Sequence, residues 1–115
     1  MVTITFFKLN NDTLTGYRAS GHAGYGKYGQ DIVCAAVSVL TQATGEGILQ
    51  VAGAKAEKRI DESTGFYELK LKDDQPDSVL EKAQVLLKTL EIALVAIAND
   101  KQYSGSIRIN YTERR

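Results

Sequence analysis

Residues 2–20 read VTITFFKLNNDTLTGYRAS. Val2, Ile4 and Phe6 alternate with Thr3, Thr5 and Phe7. That period of two in β-branched and aromatic residues predicts a strand over 2–9. Asn10-Asn11-Asp12 is turn chemistry, and Leu14 to Ser20 reads as a second strand that pairs back on the first. The chain therefore opens on a hairpin, and the remaining residues must supply the layer that covers it.

Downstream, 31–51 reads as a helix, with Asp31 at the N-cap position. Val33, Ala36, Val37, Leu40, Ala43, Gly47, Ile48 and Val51 follow helical spacing and form its apolar face. Gly45 and Gly47 weaken its second half by about 1 kcal/mol each relative to alanine. Lys55–Asp61 and Phe66–Lys72 read as two more strands around the turn Glu62-Ser63-Thr64-Gly65. After Pro76 comes a second helix, with capping-box spacing at Ser78 and Glu81 and an apolar face of Val79, Ala83, Leu86, Leu87, Leu90, Leu94 and Ile97. Residues 106–112 alternate again and close the order strand, strand, helix, strand, strand, helix, strand. The expected fold class is α/β of the α+β type. One mixed or antiparallel five-stranded sheet carries two helices, in the order ββαββαβ.

The 115 residues suit a single domain over 1–115. Hydrophobic residues make up 43% and charged ones 24%, ordinary globular values that exclude a disordered chain. Fourteen basic residues balance fourteen acidic ones, so no net charge draws nucleic acid or an anionic membrane. No apolar run approaches the ~20 residues of a membrane span. The start lacks a basic segment followed by an apolar stretch, so no secretory leader is expected. One cysteine excludes an internal disulfide framework and suits a reducing compartment. One cysteine and one histidine cannot build a four-ligand zinc site within one chain.

The chemistry concentrates in residues 21–38, GHAGYGKYGQDIVCAAVS. The stretch holds the single histidine, His22, and the single cysteine, Cys34. Between them lies a loop rich in glycine and tyrosine, with Gly21, Gly24, Tyr25, Gly26, Lys27, Tyr28 and Gly29. Such a loop has many accessible backbone states and is expected to be mobile unless something orders it. With Asp31 as cap, Cys34 is the third helical residue. Helix-start N–H groups lack intrahelical acceptors, and the dipole there favours negative charge. A thiol so placed tends towards the reactive thiolate, and the same N–H groups suit an oxyanion. If the loop folds back, the His22 imidazole can take the thiol proton and later protonate a leaving amine.

Each of these residues also has a plainer reading. A cysteine among Ile32, Val33, Ala35 and Ala36 is commonly a small buried hydrophobe, and a histidine at a strand end is commonly a surface residue. Asp31 either orients His22 or only caps the helix. Ser38, one turn after Cys34, either supports the site or bonds back to the Cys34 carbonyl. Lys27 either favours the thiolate, attracts a substrate carboxylate or is solvated. Gly24 to Gly29 also spells the letters of a dinucleotide fingerprint. That reading is set aside, because the preceding strand is hairpin-paired and Asp31 would repel a pyrophosphate at the helix start. Phe6-Phe7 reads as a strand-buried pair.

Gly21-His22-Ala23, the glycine-bearing loop, Asp31-Ile32-Val33-Cys34-Ala35 and Ser38 resemble the ribosomal-processing cysteine protease family Prp. Length and element order fit along essentially the whole chain. The resemblance implies a cytoplasmic, homodimeric cysteine endopeptidase. His22 is then the base and Cys34 the nucleophile, with Asp31 and Ser38 at positions the family keeps near the site. It implies removal of the N-terminal extension of bacterial large-subunit ribosomal protein twenty-seven after a Phe-Phe pair, a step needed for ribosome assembly and function. No cofactor, metal, membrane or direct nucleic-acid partner is expected. Tyr25, Tyr28, Ile32 and Val33 are candidate walls for the two phenylalanines. The alternative from another class is a non-catalytic ribosome-associated or RNA-binding module using Lys55, Lys58, Arg59, Arg108, Arg114 and Arg115. Scattered basic residues and balanced charge argue against it.

Overall fold

The structure is a computed structural model that describes residues 1–21 and 30–113, with the backbone alone at Gln30 and Asp31. The strands are β1 (Val2–Lys8), β2 (Leu14–Ser20), β3 (Ala56–Asp61), β4 (Phe66–Leu71) and β5 (Ile107–Glu113). The helices are α1 (Gln30–Glu46) and α2 (Asp77–Asn99). The expected order ββαββαβ is the observed one.

β1 and β2 form the anticipated antiparallel hairpin, with Ile4 opposite Ala19 and Phe6 opposite Tyr17. Across the sheet the order is β3-β4-β2-β1-β5. β4 lies antiparallel to both β2 and β3, whereas β5 runs parallel to β1. The sheet is therefore mixed. α2 supplies the crossover that a parallel partner requires, carrying the chain from β4 past two strands to the far edge.

Strand alternation divides the sheet into a covered and a bare face. Val2, Ile4 and Phe6 of β1, Tyr17 and Ala19 of β2, and Tyr67, Leu69 and Leu71 of β4 are buried in the core. From the helix layer come Val33, Val37, Ala83, Leu87, Leu90 and Leu94. A row of rings crosses four strands, from the exposed Tyr111 into this core. Centroids lie 5.8 Å apart for Tyr111–Phe6, 6.4 Å for Phe6–Tyr17 and 5.9 Å for Tyr17–Tyr67. Phe7 departs from the expected buried pair. Only Phe6 enters the core, while Phe7 lies half-buried on the bare face, with Arg18 5.3 Å and Lys70 5.2 Å from its ring.

Several local expectations are corrected. α1 ends at Glu46 and continues as a π-helical turn over Gly47–Val51. The wider turn rotates the residues after Glu46, so Val51 is 78% exposed; Ala43, still within α1, is exposed as well. Thr41 is buried instead, its hydroxyl donating to the Val37 carbonyl at 2.8 Å. Gly45 is a packing requirement more than a weakness, because the Tyr67 hydroxyl occupies the place its Cβ would take. α2 has no capping box at Ser78. Its N-cap is Pro76, whose carbonyl accepts from Val79 and Leu80, and Ser78 already lies inside the helix. Finally, Ile32–Val51 is long and apolar enough to cross a membrane by composition, with mean hydropathy 1.5. Here Val33, Val37 and Ile48 of that stretch belong to the core.

Candidate active site

α1 begins at Gln30, so Asp31 lies inside the first turn and not at the cap, and Cys34 is the fifth helical residue instead of the third. In a helix starting there, the N–H groups of Gln30, Asp31 and Ile32 lack intrahelical acceptors. The Cα–Cβ bonds of a helix tilt towards its N-terminus. The Cys34 side chain is therefore directed back along the turn that carries those donors. Cys34 is half-buried and packs against the core.

The thiol lines a cleft of about 230 Å³. On the α1 side, Cys34, Val37, Ser38 and Thr41 repeat at the spacing of one helix face, so Ser38 shares the cleft with Cys34. At its sheet end the cleft meets Val2, Ala19 and Gly21. Gly21 has φ 84°, and a Cβ there would also strike the Met1 carbonyl, so only glycine fits.

The opposite wall comes from the β3–β4 hairpin, through Ile60, Glu62, Gly65, Phe66 and Tyr67. The hairpin turn is tightly built. The Asp61 carboxylate accepts from the Ser63 backbone N–H at 3.1 Å and its hydroxyl at 2.6 Å. The Ser63 hydroxyl bond is the main cause that holds the Asp61 carboxyl below the usual range. Gly65 closes the turn in the left-handed region at φ 66°. On the α1 side of this hairpin, Lys58 bonds Glu46 at 3.0 Å.

This wall was not anticipated from the chain. Val33, a candidate wall residue, is buried in the core, and Ile32 is 49% exposed and does not line the cleft. Ile60, Phe66 and Tyr67 line it instead. The only local signal was an apolar residue directly after the turn glycine. His22, Gly24, Tyr25, Gly26, Lys27, Tyr28 and Gly29 lie outside the described residues, as does the side chain of Asp31. A larger cavity of about 520 Å³ touches the bare sheet face at Phe7 and Lys70 and includes neither Cys34 nor Ser38. Among the described residues, no three His, Cys, Asp or Glu side chains cluster as a metal site.

A thiol beside a helix start, facing a cleft on a mixed sheet, has the layout of a cysteine hydrolase, and the model of a protease family, described as cysteine protease Prp, matches residues 1–108. The chain belongs to that family, the ribosomal-processing cysteine proteases called Prp. It is 28% identical over 111 residues to the ribosomal processing cysteine protease Prp of Staphylococcus aureus, covering 96% of this chain and 99% of the relative. Solved structures agree. Prp from S. aureus in complex with a substrate peptide superposes with a TM-score of 0.83 at 26% identity, over 97% of this chain and all of that one. The same enzyme with a covalently linked product peptide gives 0.80 at 28% identity, over 97% and 100%. The five-stranded mixed sheet with two helices is thus the family's architecture, and membership favours an enzyme over the RNA-binding alternative.

Proposed function

We propose that this chain is an endopeptidase in which Cys34 and His22 act as a dyad. His22 takes the thiol proton as Cys34 Sγ attacks the scissile carbonyl, and returns it to the leaving amine. The first-turn N–H groups of α1 hold the oxyanion, and water then hydrolyses the acyl-enzyme. The observation that carries this reading is the place of Cys34, in a cleft beside the start of α1. Gly21 lines the same cleft, and His22 is the next residue in the chain. The covalently linked product peptide in the S. aureus relative supports a covalent route. Asp31 and Ser38 support the dyad, and the 21–30 loop closes over the peptide.

The substrate is the N-terminal extension of large-subunit ribosomal protein twenty-seven, cut after a Phe-Phe pair. Val37, Ile60 and Tyr67 give the cleft an apolar lining that suits phenylalanine side chains. The activity belongs to the cytoplasm, where thiols stay reduced, and to a homodimer. Val39 at 67% and Ile92 at 71% exposure leave apolar surface on the helix layer for association. Neither a metal nor an organic cofactor takes part.

The test is mass spectrometry of a peptide spanning such an extension, incubated with wild type, Cys34→Ala and His22→Ala. One cut after the second phenylalanine, lost in both variants, is the expected result. Cleavage that survives Cys34→Ala removes the thiol mechanism, and cleavage that survives His22→Ala removes the dyad. Light scattering of the purified chain decides between monomer and dimer.

A further inference from the structure

We infer that Glu62, on the β3–β4 turn, selects a lysine or arginine side chain of the peptide close to the cut. The inference rests on the reading that a peptide substrate occupies the cleft at Cys34. Among the described residues that line this cleft, Glu62 is the one carboxylate, and no lysine or arginine accompanies it. The two cations nearest to it along the chain, both on β3, are engaged elsewhere. Lys58 bonds Glu46 on α1. Arg59 reaches Glu68 at 3.4 Å and stacks over Phe66 at 5.4 Å. Glu62 makes no ion pair among the described residues, so the described lining of the cleft carries one uncompensated negative charge.

The turn fixes the backbone that carries that charge. Asp61 ties down Ser63, Gly65 is held in its left-handed conformation, and the Gly65 N–H donates to the Glu62 carbonyl at 3.3 Å. Ile60 and Phe66 flank the turn along the same wall. The cleft, at about 230 Å³, is smaller than the ~300–1,000 Å³ of typical small-molecule pockets. It suits side chains of a threaded peptide. Apolar lining beside one exposed carboxylate describes a segment that places an apolar side chain and a cation within a few residues of each other. A carboxylate at the same substrate position would meet like-charge repulsion, which adds rejection to attraction.

The test uses Phe-Phe peptides that differ only by lysine, norleucine or glutamate at successive positions flanking the cut. At one position wild type should favour lysine over norleucine in kcat/KM by about fivefold, the upper range for a solvent-exposed ion pair. Glu62→Gln should abolish that ratio and Glu62→Lys should invert it in favour of glutamate. Glu57→Gln, on the same hairpin but outside the cleft, should leave it intact, and circular dichroism confirms that each variant is folded. An unchanged ratio in both Glu62 variants overturns the inference. The same peptides, labelled, are also titrated by fluorescence anisotropy against Cys34→Ala with and without Glu62→Gln, which needs no turnover. If nothing is cleaved, proteolysis fails as a reading while this arm still decides on Glu62. A lysine preference in Kd that vanishes with Glu62→Gln sustains the inference, and equal Kd values or no binding overturn it.

Discussion

The Tyr17 hydroxyl on β2 donates a 2.6 Å hydrogen bond to the Thr41 carbonyl on α1. Thr41 lies seven residues, about two helical turns, beyond Cys34 and lines the same cleft. Tyr17 is fully buried. The bond therefore ties α1 to the sheet two turns beyond Cys34, alongside the packing of Val33 and Val37.

Tyr17→Phe removes the donor and keeps the ring. Stability should fall by about 1 kcal/mol in urea unfolding, and kcat/KM should fall more than stability at assay temperature accounts for, because α1 loses its anchor. A fully wild-type kcat/KM would show that the helix is positioned by packing alone.

Alkaline unfolding depends on the same residue. Burial, with Tyr67 beside it, pushes the Tyr17 phenol above its ordinary range. Burial and the Glu91 carboxylate, which accepts from Tyr111 at 2.6 Å, push Tyr111 up to about 12. Unfolded phenols ionise near pH ~10. Above that value the unfolded chain holds fewer protons than the folded one, so stability declines as pH rises. Urea midpoints across the alkaline range should drop, with a shallower slope in Tyr17→Phe.

Gly45→Ala sets helix propensity against space. Alanine gains about 1 kcal/mol in a helix interior, but its Cβ meets the Tyr67 phenol and lies 3.1 Å from the Tyr17 hydroxyl. Overpacking costs about 1–3 kcal/mol, so the variant should be destabilised, and Tyr67→Phe added to it should recover part of the loss. A rise in Tm for the single variant would contradict the packing described.

Gln84 of α2 acts as a surrogate strand. Its side chain accepts from the Leu14 N–H at 2.9 Å and donates to the Leu14 carbonyl at 2.6 Å. This happens where the β1–β2 register shifts between Phe7 and Lys8. Leu14 is 1% exposed, so Gln84→Ala should cost about 1–3 kcal/mol by leaving both groups unsatisfied. Hydrogen exchange at Leu14 should accelerate relative to the rest of β2.

Glu68 is buried on the bare sheet face, with Arg18 at 2.8 Å and Arg59 at 3.4 Å. The Arg18 side chain is 39% exposed and that of Arg59 70%. Exposed ion pairs contribute little, whereas an uncompensated buried charge is costly. Arg18→Met should therefore destabilise more than Arg59→Met, and the first loss should shrink when Glu68→Gln is added.

Local patterns carried the element order. Alternation in β1 and β5 and the 3.6-residue period of α2 predicted the strands and the buried face of Ala83, Leu87, Leu90 and Leu94. What escaped is non-local. Nothing near β4 says that it lies between β2 and β3, and nothing near β5 says that it runs parallel to β1. Thr41 could not be placed inside, because its burial depends on Tyr17, twenty-four residues away. Ser78 had the right spacing for a cap, but Pro76 starts the helix first. At the site, Cys34 and Ser38 on one helix face could be read from spacing. The wall of Ile60, Glu62 and Phe66 could not, because the sheet brings it there from another hairpin.

The parallel pairing of β1 with β5 also bears on how the molecule comes into being on the ribosome. Every described residue around the Cys34 cleft lies between Val2 and Tyr67. Yet the strand at its base, β1, waits for its second neighbour until residues 107–113 have emerged from the exit tunnel. Contacts that span the whole chain close last and slowly. A nascent copy holds all the described cleft residues long before it holds a finished sheet, so it cannot hold that cleft in its final form until translation of β5 is complete.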